Sequence, residues 1–376
     1  MRIAKQLSKV IGARVSGSPK EAEAVEFVAS EFRKLDLDTR IQKFRYLGWE
    51  QQGKPGLTVI SPFQKAVQVS PMAYTGSTPR DGVEGVLRHH GTFYLFPKLM
   101  ELPKYAVVDD RGDISGFVLV TPGDQSRAIP NPWLQIFQDP VVLVCEKDFL
   151  PIMGTMHSGK EVRVHLKSMA QYIQSVTSFN VIAKMEGKKK DVIIVGGHHD
   201  SMADSPGATD NAAGVEAIFR VAKKLLRKKR NLSYNFITWG GHEWGLFGSQ
   251  YFAREAKETG LIRQIKACLT LDVLGCGDFL WIWAGPQEFR KKIEGILKTT
   301  VLREKREVRF EGTLIGSDDW SFSGENIAHA MFMDWPADTL HLPTDEYEGL
   351  EESKVRFGVE VTMSLLERFE KHGFPW

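Results

Sequence analysis

The stretch Asp191 to Gly214, DVIIVGGHHDSMADSPGATDNAAG, constrains the fold more than any other part of the chain, because a strand, a cluster of ligand-type side chains and a helix start follow one another within it. DVIIV is a continuous β-branched apolar run, the pattern of a strand covered on both faces, and Gly196 and Gly197 at its end leave room for close approach. His198, His199 and Asp200 stand where the strand stops, at the carboxyl end where open α/β sheets place their ligands. Asp210 and Asn211 come just before an apolar-periodic helix expected over 214–226. An imidazole and a carboxylate are thereby expected to face one crevice.

The rest of the chain supplies the frame. Residues 1–45 read as helix, turn, helix, strand, with Ser18 before Pro19 as a helix start and Ala24, Phe27, Val28, Phe32 and Leu35 on one helical face. From SFNVIAKMEG (178–187) onward, strand and helix patterns alternate to the end: NLSYNFITW, ACLTLDVLG, FLWIWAG and AHAMFMDW as strands, GLFGSQYFAREAKE, PQEFRKKIEGILKTTVLRE and 349–371 as helices. That rhythm predicts an α/β fold, a three-layer α/β/α sandwich around a mostly parallel mixed sheet. Between them, VEGVLRHH, KYAVV, ISGFVLV and VVLVCEK are short β-type runs divided by turn residues, with no strand–helix alternation. Residues 1–64 and 171–376 are therefore read as one domain and 65–170 as a β-rich domain inserted into it. The insert's His89, His90, His157 and His165 have no carboxylate or cysteine spacing that makes a metal site and are read as surface or structural residues.

Composition narrows the function classes. Lysine plus arginine (49) exceed aspartate plus glutamate (47) by only two, so net charge gives no argument for nucleic acid, and the basic runs 188–190 and 227–230 are read as solvated ends of elements. No window approaches the roughly 18 apolar residues of a membrane span and the amino terminus has no sustained apolar core, so no membrane partner and a cytoplasmic location are expected. Three cysteines, Cys145, Cys268 and Cys276, are too few and scattered for a disulfide framework, which agrees with a reducing compartment. The oligomeric state is left open, a homo-oligomer included.

Five residues carry the chemistry. His198, Glu243 after FITWGGH, Asp272 in LTLDVLG and His341 after AHAMFMDW all follow strand ends, and Asp210 lies in the loop after the first. Singly, each reads as a satisfied polar group. Together, two histidines and three carboxylates suit a pair of zinc-like ions sharing a bridging carboxylate, with positions open for water and substrate.

At these residues GGHHDS, SPGATDNAAG, WGGHEWGLFGS, LDVLG and HLPTDEYEGL resemble the successive motifs of metallopeptidase family 28, the co-catalytic di-zinc aminopeptidases. The resemblance covers about two-thirds of the chain and extends to a β-rich insert similar to the protease-associated domain of many members. It implies two Zn2+ ions, with Co2+ or Mn2+ as other occupants of such a donor set. His198, Asp210 and Asp272 would hold one ion and Asp210, Glu243 and His341 the other, Asp210 bridging. Asp200 would orient His198, and the bond from Asp210 to Asn211 would be cis. A peptide substrate, cleaved at its amino-terminal residue, follows from the same resemblance.

One position departs from the family. Where members carry a general-base glutamate, this chain has His242. A neutral imidazole accepts a proton near pH 7, and three ligand carboxylates with one hydroxide balance two dications, so His242 is read as the proton shuttle. Its other readings are a further metal ligand or a weakly active centre. HE also opens the zincin motif HExxH, but position 246 is Leu. Two rivals accompany the peptidase reading: a binding homologue whose catalysis has lapsed, and a single-zinc enzyme of the glutaminyl cyclase kind. Side-chain preference is expected to come from the loops 315–322 and 334–340 and from the insert, with Trp320 and Trp335 read as core rather than platform.

Overall fold

In the computed structural model of the protein, the structure describes residues 1–96, 100–129, 138–299, 306–325 and 327–374. The chain divides into two compact units, Met1–Tyr46 with Thr177–Trp376, and Leu47–Val176.

In the first unit an eight-stranded mixed sheet runs in the order Asp38–Gln51, Ala170–Met185, Ser233–Trp239, Val192–His198, Ile265–Leu271, Ala328–Trp335, Phe279–Gly285, Val308–Glu311. The four middle strands are parallel, and antiparallel neighbours flank them on each side. Side chains alternate along Val192–His198, so Ile193 and Val195 pack with the helices Pro19–Arg33, Ala213–Leu225, Gln287–Lys298 and Glu352–His372. Val192 and Ile194 pack on the other face with the helix Phe247–Glu258. This is the three-layer α/β/α sandwich expected from the rhythm of the sequence. Each fully buried side chain of the Phe32 or Ile193 kind contributes about 1.5–3 kcal/mol to holding the layers together.

Local signals explain the elements. Ser18 accepts a hydrogen bond from the backbone N–H of Glu21, and Pro19 follows at the first helical position, which starts the Pro19–Arg33 helix. The helix read through Glu304 is seen as Gln287–Lys298, and 300–305 lie outside the described residues. In this sheet one strand was read short and one escaped the reading. Ala170–Met185 starts eight residues before SFNVIAKMEG because its first half is largely exposed, and Val308–Glu311 is short and only half-buried.

The second unit holds another eight-stranded sheet, in the order Lys65–Val67, Gly56–Ser61, Arg163–Lys167, Val83–Phe96, Met100–Val108, Ile114–Thr121, Val141–Cys145, Ser70–Pro71. Its limits differ from the 65–170 read from the sequence, because the long strands Asp38–Gln51 and Ala170–Met185 run through both boundaries. A helix, Glu146–His157, also interrupts the β texture; Pro151 inside it hid the pattern, and Phe149 and Ile152 bury its face against the sheet. Among the described residues no helix is long and apolar enough to cross a membrane.

Candidate metal centre

Chain order reverses at the strand Val192–His198. The next strand, Ser233–Trp239, lies on one side of it and the one after, Ile265–Leu271, on the other. A crevice at the carboxyl ends of such strands is where open α/β sheets bind ligands. His198 is the last residue of its strand, in register with Trp239. Asp272 follows Leu271 directly, and its backbone N–H donates to the carbonyl of Phe332 at 3.0 Å. Glu243 lies four residues past Trp239 and His341 six past Trp335, at a left-handed φ of 59°. Gly197 lets the sheet close here, since a Cβ on it would stand 2.6 Å from the carbonyl oxygen of Leu271.

Asp210 is held from two directions. The Asp345 carboxylate accepts from the backbone N–H of Asp210 at 3.1 Å and from both the N–H and hydroxyl of Thr209, at 2.9 and 2.7 Å. The Asp210–Asn211 peptide bond is cis, and the Asn211 amide donates to the Leu271 carbonyl at 2.9 Å. Beneath the loop Arg14 is fully buried and donates to the carbonyls of His199 (2.6 Å), Pro206 and Gly207 (2.9 Å). Burial lowers its pKa to about 10, opposed by the charges of Asp200, Asp345, Asp210 and Glu243.

All five predicted ligands converge. One Asp210 oxygen lies 2.9 Å from His198 Nε2, and the other lies 3.1 Å from His341 Nε2. Asp272 Oδ1 is 3.3 Å from His198 Nε2, and Glu243 Oε2 is 3.4 Å from His341 Nε2. Donor atoms bound about 2.0–2.1 Å from one ion with tetrahedral angles stand about 3.3 Å apart, so these spacings fit a small divalent cation. Both Glu243 oxygens and Asp272 Oδ1 accept no hydrogen bond among the described residues, although they are buried. A carboxylate has only acceptors, and buried ones are ordinarily satisfied; a cation held by these residues would satisfy them.

Asp200 stands where it was expected, with a difference. Its carboxylate is 3.5 Å from His198 Nδ1, while its own carbonyl oxygen is closer at 3.1 Å. The carboxylate accepts from the backbone N–H groups of His242 (3.4 Å) and Glu243 (3.3 Å), tying the second strand end to the first. His242 lies beside the cluster, its ring stacked on that of His198 with centroids 3.7 Å apart. Its Nδ1 is 2.9 Å from Asp318 Oδ2 and its Nε2 3.9 Å from Asp272 Oδ2. His198, His242 and Asp272 offer atoms within 4.8 Å of one another, as do His198, Asp210 and Glu243.

Protein charges alone set a strong field. Burial works against a charged His198, but the Asp272 charge and the carboxylates of Asp200 and Asp210 beside the ring outweigh it and raise its pKa well above the ordinary value. His341 behaves alike, burial being overcome by Glu243 and Asp210 to reach about 10. For His242, burial and His198 lower the pKa, yet Asp318 and Asp272 carry it to about 9. Asp210 is held well below the carboxylate range; burial opposes this, and hydrogen bonds from His198 and His341 prevail. Burial and the Asp210 charge raise Glu243. So many carboxylates crowd here that Asp319, buried beside Asp318 and Asp272, is pushed well above its usual range.

Asp345, Asp318, Ser317 and Arg14 were not singled out in the sequence. Asp345 is part of the HLPTDEYEGL motif, and Asp318 sits in a loop noted only as a specificity wall. Ser317 donates to Asp272 Oδ2 at 2.6 Å.

Residues 180–362 match the model of peptidase family M28. The chain is 25% identical to the aminopeptidase YwaD of Bacillus subtilis over 280 residues, 72% of this chain and 60% of that protein, so it spans well under two thirds of that relative's length. Its fold is similar to that of BSAP, a zinc aminopeptidase from Bacillus subtilis (TM-score 0.70, 19% identity, 98% of this chain and 93% of that one). It is also similar to a peptidase M28 precursor from Shewanella amazonensis SB2B (TM-score 0.76, 17% identity, 97% and 91%). The family's match spans the segment that holds His198, Glu243, Asp272 and His341, and over residues 180–362 this chain is similar to peptidase family M28.

Proposed function

We propose that this protein is a zinc-dependent aminopeptidase that binds two ions and removes amino-terminal residues from short peptides. The observation that carries the reading is the placing of the two Asp210 oxygens, one against His198 at 2.9 Å and one against His341 at 3.1 Å. A carboxylate so placed would serve two ion sites at once, one completed by His198 and Asp272, the other by His341 and Glu243. The names of two similar proteins, an aminopeptidase and a zinc aminopeptidase, support the same activity.

Zinc held by these residues supplies Lewis acidity toward a carbonyl and lowers the pKa of water. The protein's own groups do the rest. His198 and Asp272 are locked by Asp200 and Ser317, so the donor set is preorganised. Among these side chains His242 and His341 keep the most exposure, 11% and 10%, which marks the side open to a substrate. His242 takes the proton of the attacking water at Nε2 and returns it to the leaving amine, so that water adds across the C–N bond with no net proton change. A second reading, His242 as a further ligand, is favoured by its place within 4.8 Å of His198 and Asp272 atoms.

The test is hydrolysis of amino-acid p-nitroanilides and dipeptides by zinc-loaded and chelator-stripped protein, with N-acetylated anilides beside the free ones. Zinc-dependent release from free but not acetylated substrates is expected. Cleavage of the acetylated set, or no cleavage by protein loaded with two ions, overturns the reading.

A further inference from the structure

We infer that Asp318 is a positioning residue that presents one nitrogen of His242 to the metal centre, an inference that rests on the reading of His242 as proton shuttle. The contact is direct and sheltered. Asp318 is fully buried, and its Oδ2 lies 2.9 Å from His242 Nδ1. A carboxylate oxygen accepts only, so the hydrogen of this bond belongs to Nδ1. In the neutral ring the lone pair is then on Nε2, which faces the cluster 3.9 Å from Asp272 Oδ2.

Two further contacts hold the ring in that setting. His198 covers one face, parallel within 5° at 3.7 Å. The backbone N–H of His242 is held by Asp200. Asp318 is also not alone on its segment. The preceding residue, Ser317, donates to Asp272 Oδ2 at 2.6 Å, so two consecutive residues set a ligand and the neighbouring imidazole in one relation. The other Asp318 oxygen accepts no hydrogen bond among the described residues, which leaves the carboxylate committed to His242. An imidazole replacing a carboxylate at this position needs such a partner. A carboxylate offers two equivalent oxygens, whereas an imidazole has one usable lone pair and must be held in the correct tautomer.

The experiment uses zinc-loaded protein with 15N-labelled histidine, read by long-range 1H–15N correlation, together with a double-mutant cycle. His242 should show a protonated Nδ1 and a bare Nε2. In Asp318→Asn the side-chain amide can donate to Nδ1, so the protonated nitrogen should shift toward Nε2 while zinc content stays at the wild-type level. The same variant should lose about 10- to 10³-fold in kcat with KM little changed, and the loss should vanish in a His242→Ala background. A zinc-coordinated or protonated Nε2 in the wild type, an unaltered tautomer in Asp318→Asn, or an equal loss in both backgrounds overturns the inference. If His242→Ala keeps full activity, the shuttle reading fails on its own, and the nitrogen spectra still decide whether Asp318 sets the ring.

Discussion

The imidazoles of His198 and His242 lie face to face, their centroids 3.7 Å apart and their planes within 5°. Two positive rings at that distance repel, and His198 does lower the pKa of His242. Asp200 beside one ring and Asp318 beside the other hold the stack together. One ring is thereby committed to the carboxylates Asp210 and Asp272, while the second stays next to the reacting space.

Metal loading should release protons. His198 is raised well above the ordinary histidine value and His341 to about 10, so both carry a proton near pH 7 when only protein groups surround them. Each must lose it to bind zinc, and His242, at about 9, must lose its own to serve as the base, so about three protons per chain should be released at pH 7. Calorimetric titration with zinc in buffers of different ionisation enthalpy measures this directly. A heat that does not depend on the buffer contradicts it.

Chelator-stripped protein should lose stability as pH rises. The folded-state values of about 9 for His242 and about 10 for His341 lie above the unfolded value near 6.5. The folded state therefore binds these protons more tightly, so the stabilisation is complete below about pH 6.5 and is lost as pH rises through the folded values. Tm in chelator should fall between pH 7 and pH 10, and fall less in the zinc-loaded protein. A flat or rising Tm for the stripped protein is the contrary result.

Asp210→Asn should empty both sites, because its two oxygens face different histidines. Elemental analysis of metal-replete protein is expected to give two ions for the wild type and fewer than one for the variant. Full loading of the variant removes the bridging role.

His242→Ala should lower kcat by about 10² to 10⁴ while leaving KM and metal content nearly unchanged. His242→Glu restores the group that family members use, and should keep or raise activity and extend it to lower pH. Equal activity of His242→Ala and wild type excludes the shuttle.

Asp345→Ala should destabilise the fold by about 2–4 kcal/mol, since it strands the donors of Thr209 and Asp210 in a buried site. Asp345→Asn keeps one acceptor and should cost less. Urea unfolding of the stripped proteins separates the two, and equal midpoints for wild type and Asp345→Ala would sink the assignment.

The histidines of the second unit should be dispensable for metal. His165 Nε2 is 2.7 Å from the Asp81 carbonyl, and His89 packs edge-on to Tyr105. His89→Ala and His165→Ala are expected to retain wild-type zinc by elemental analysis.

The sequence alone determined the strands that carry His198, Glu243, Asp272 and His341, because a buried parallel strand needs a continuous apolar run and its end is marked by glycine and polar residues. The identity of the five candidate ligands was equally local, each sitting in a short motif. What tertiary structure decided is how those groups are held. Asp318 meets His242 across 76 positions, Asp345 meets Asp210 across 135, and Arg14 reaches Gly207 across 193. No periodicity or spacing records such pairs. An aspartate in a polar loop looks the same whether it faces solvent or a buried imidazole, and only the closing of the sheet and its loops removes the water that would otherwise have been its partner.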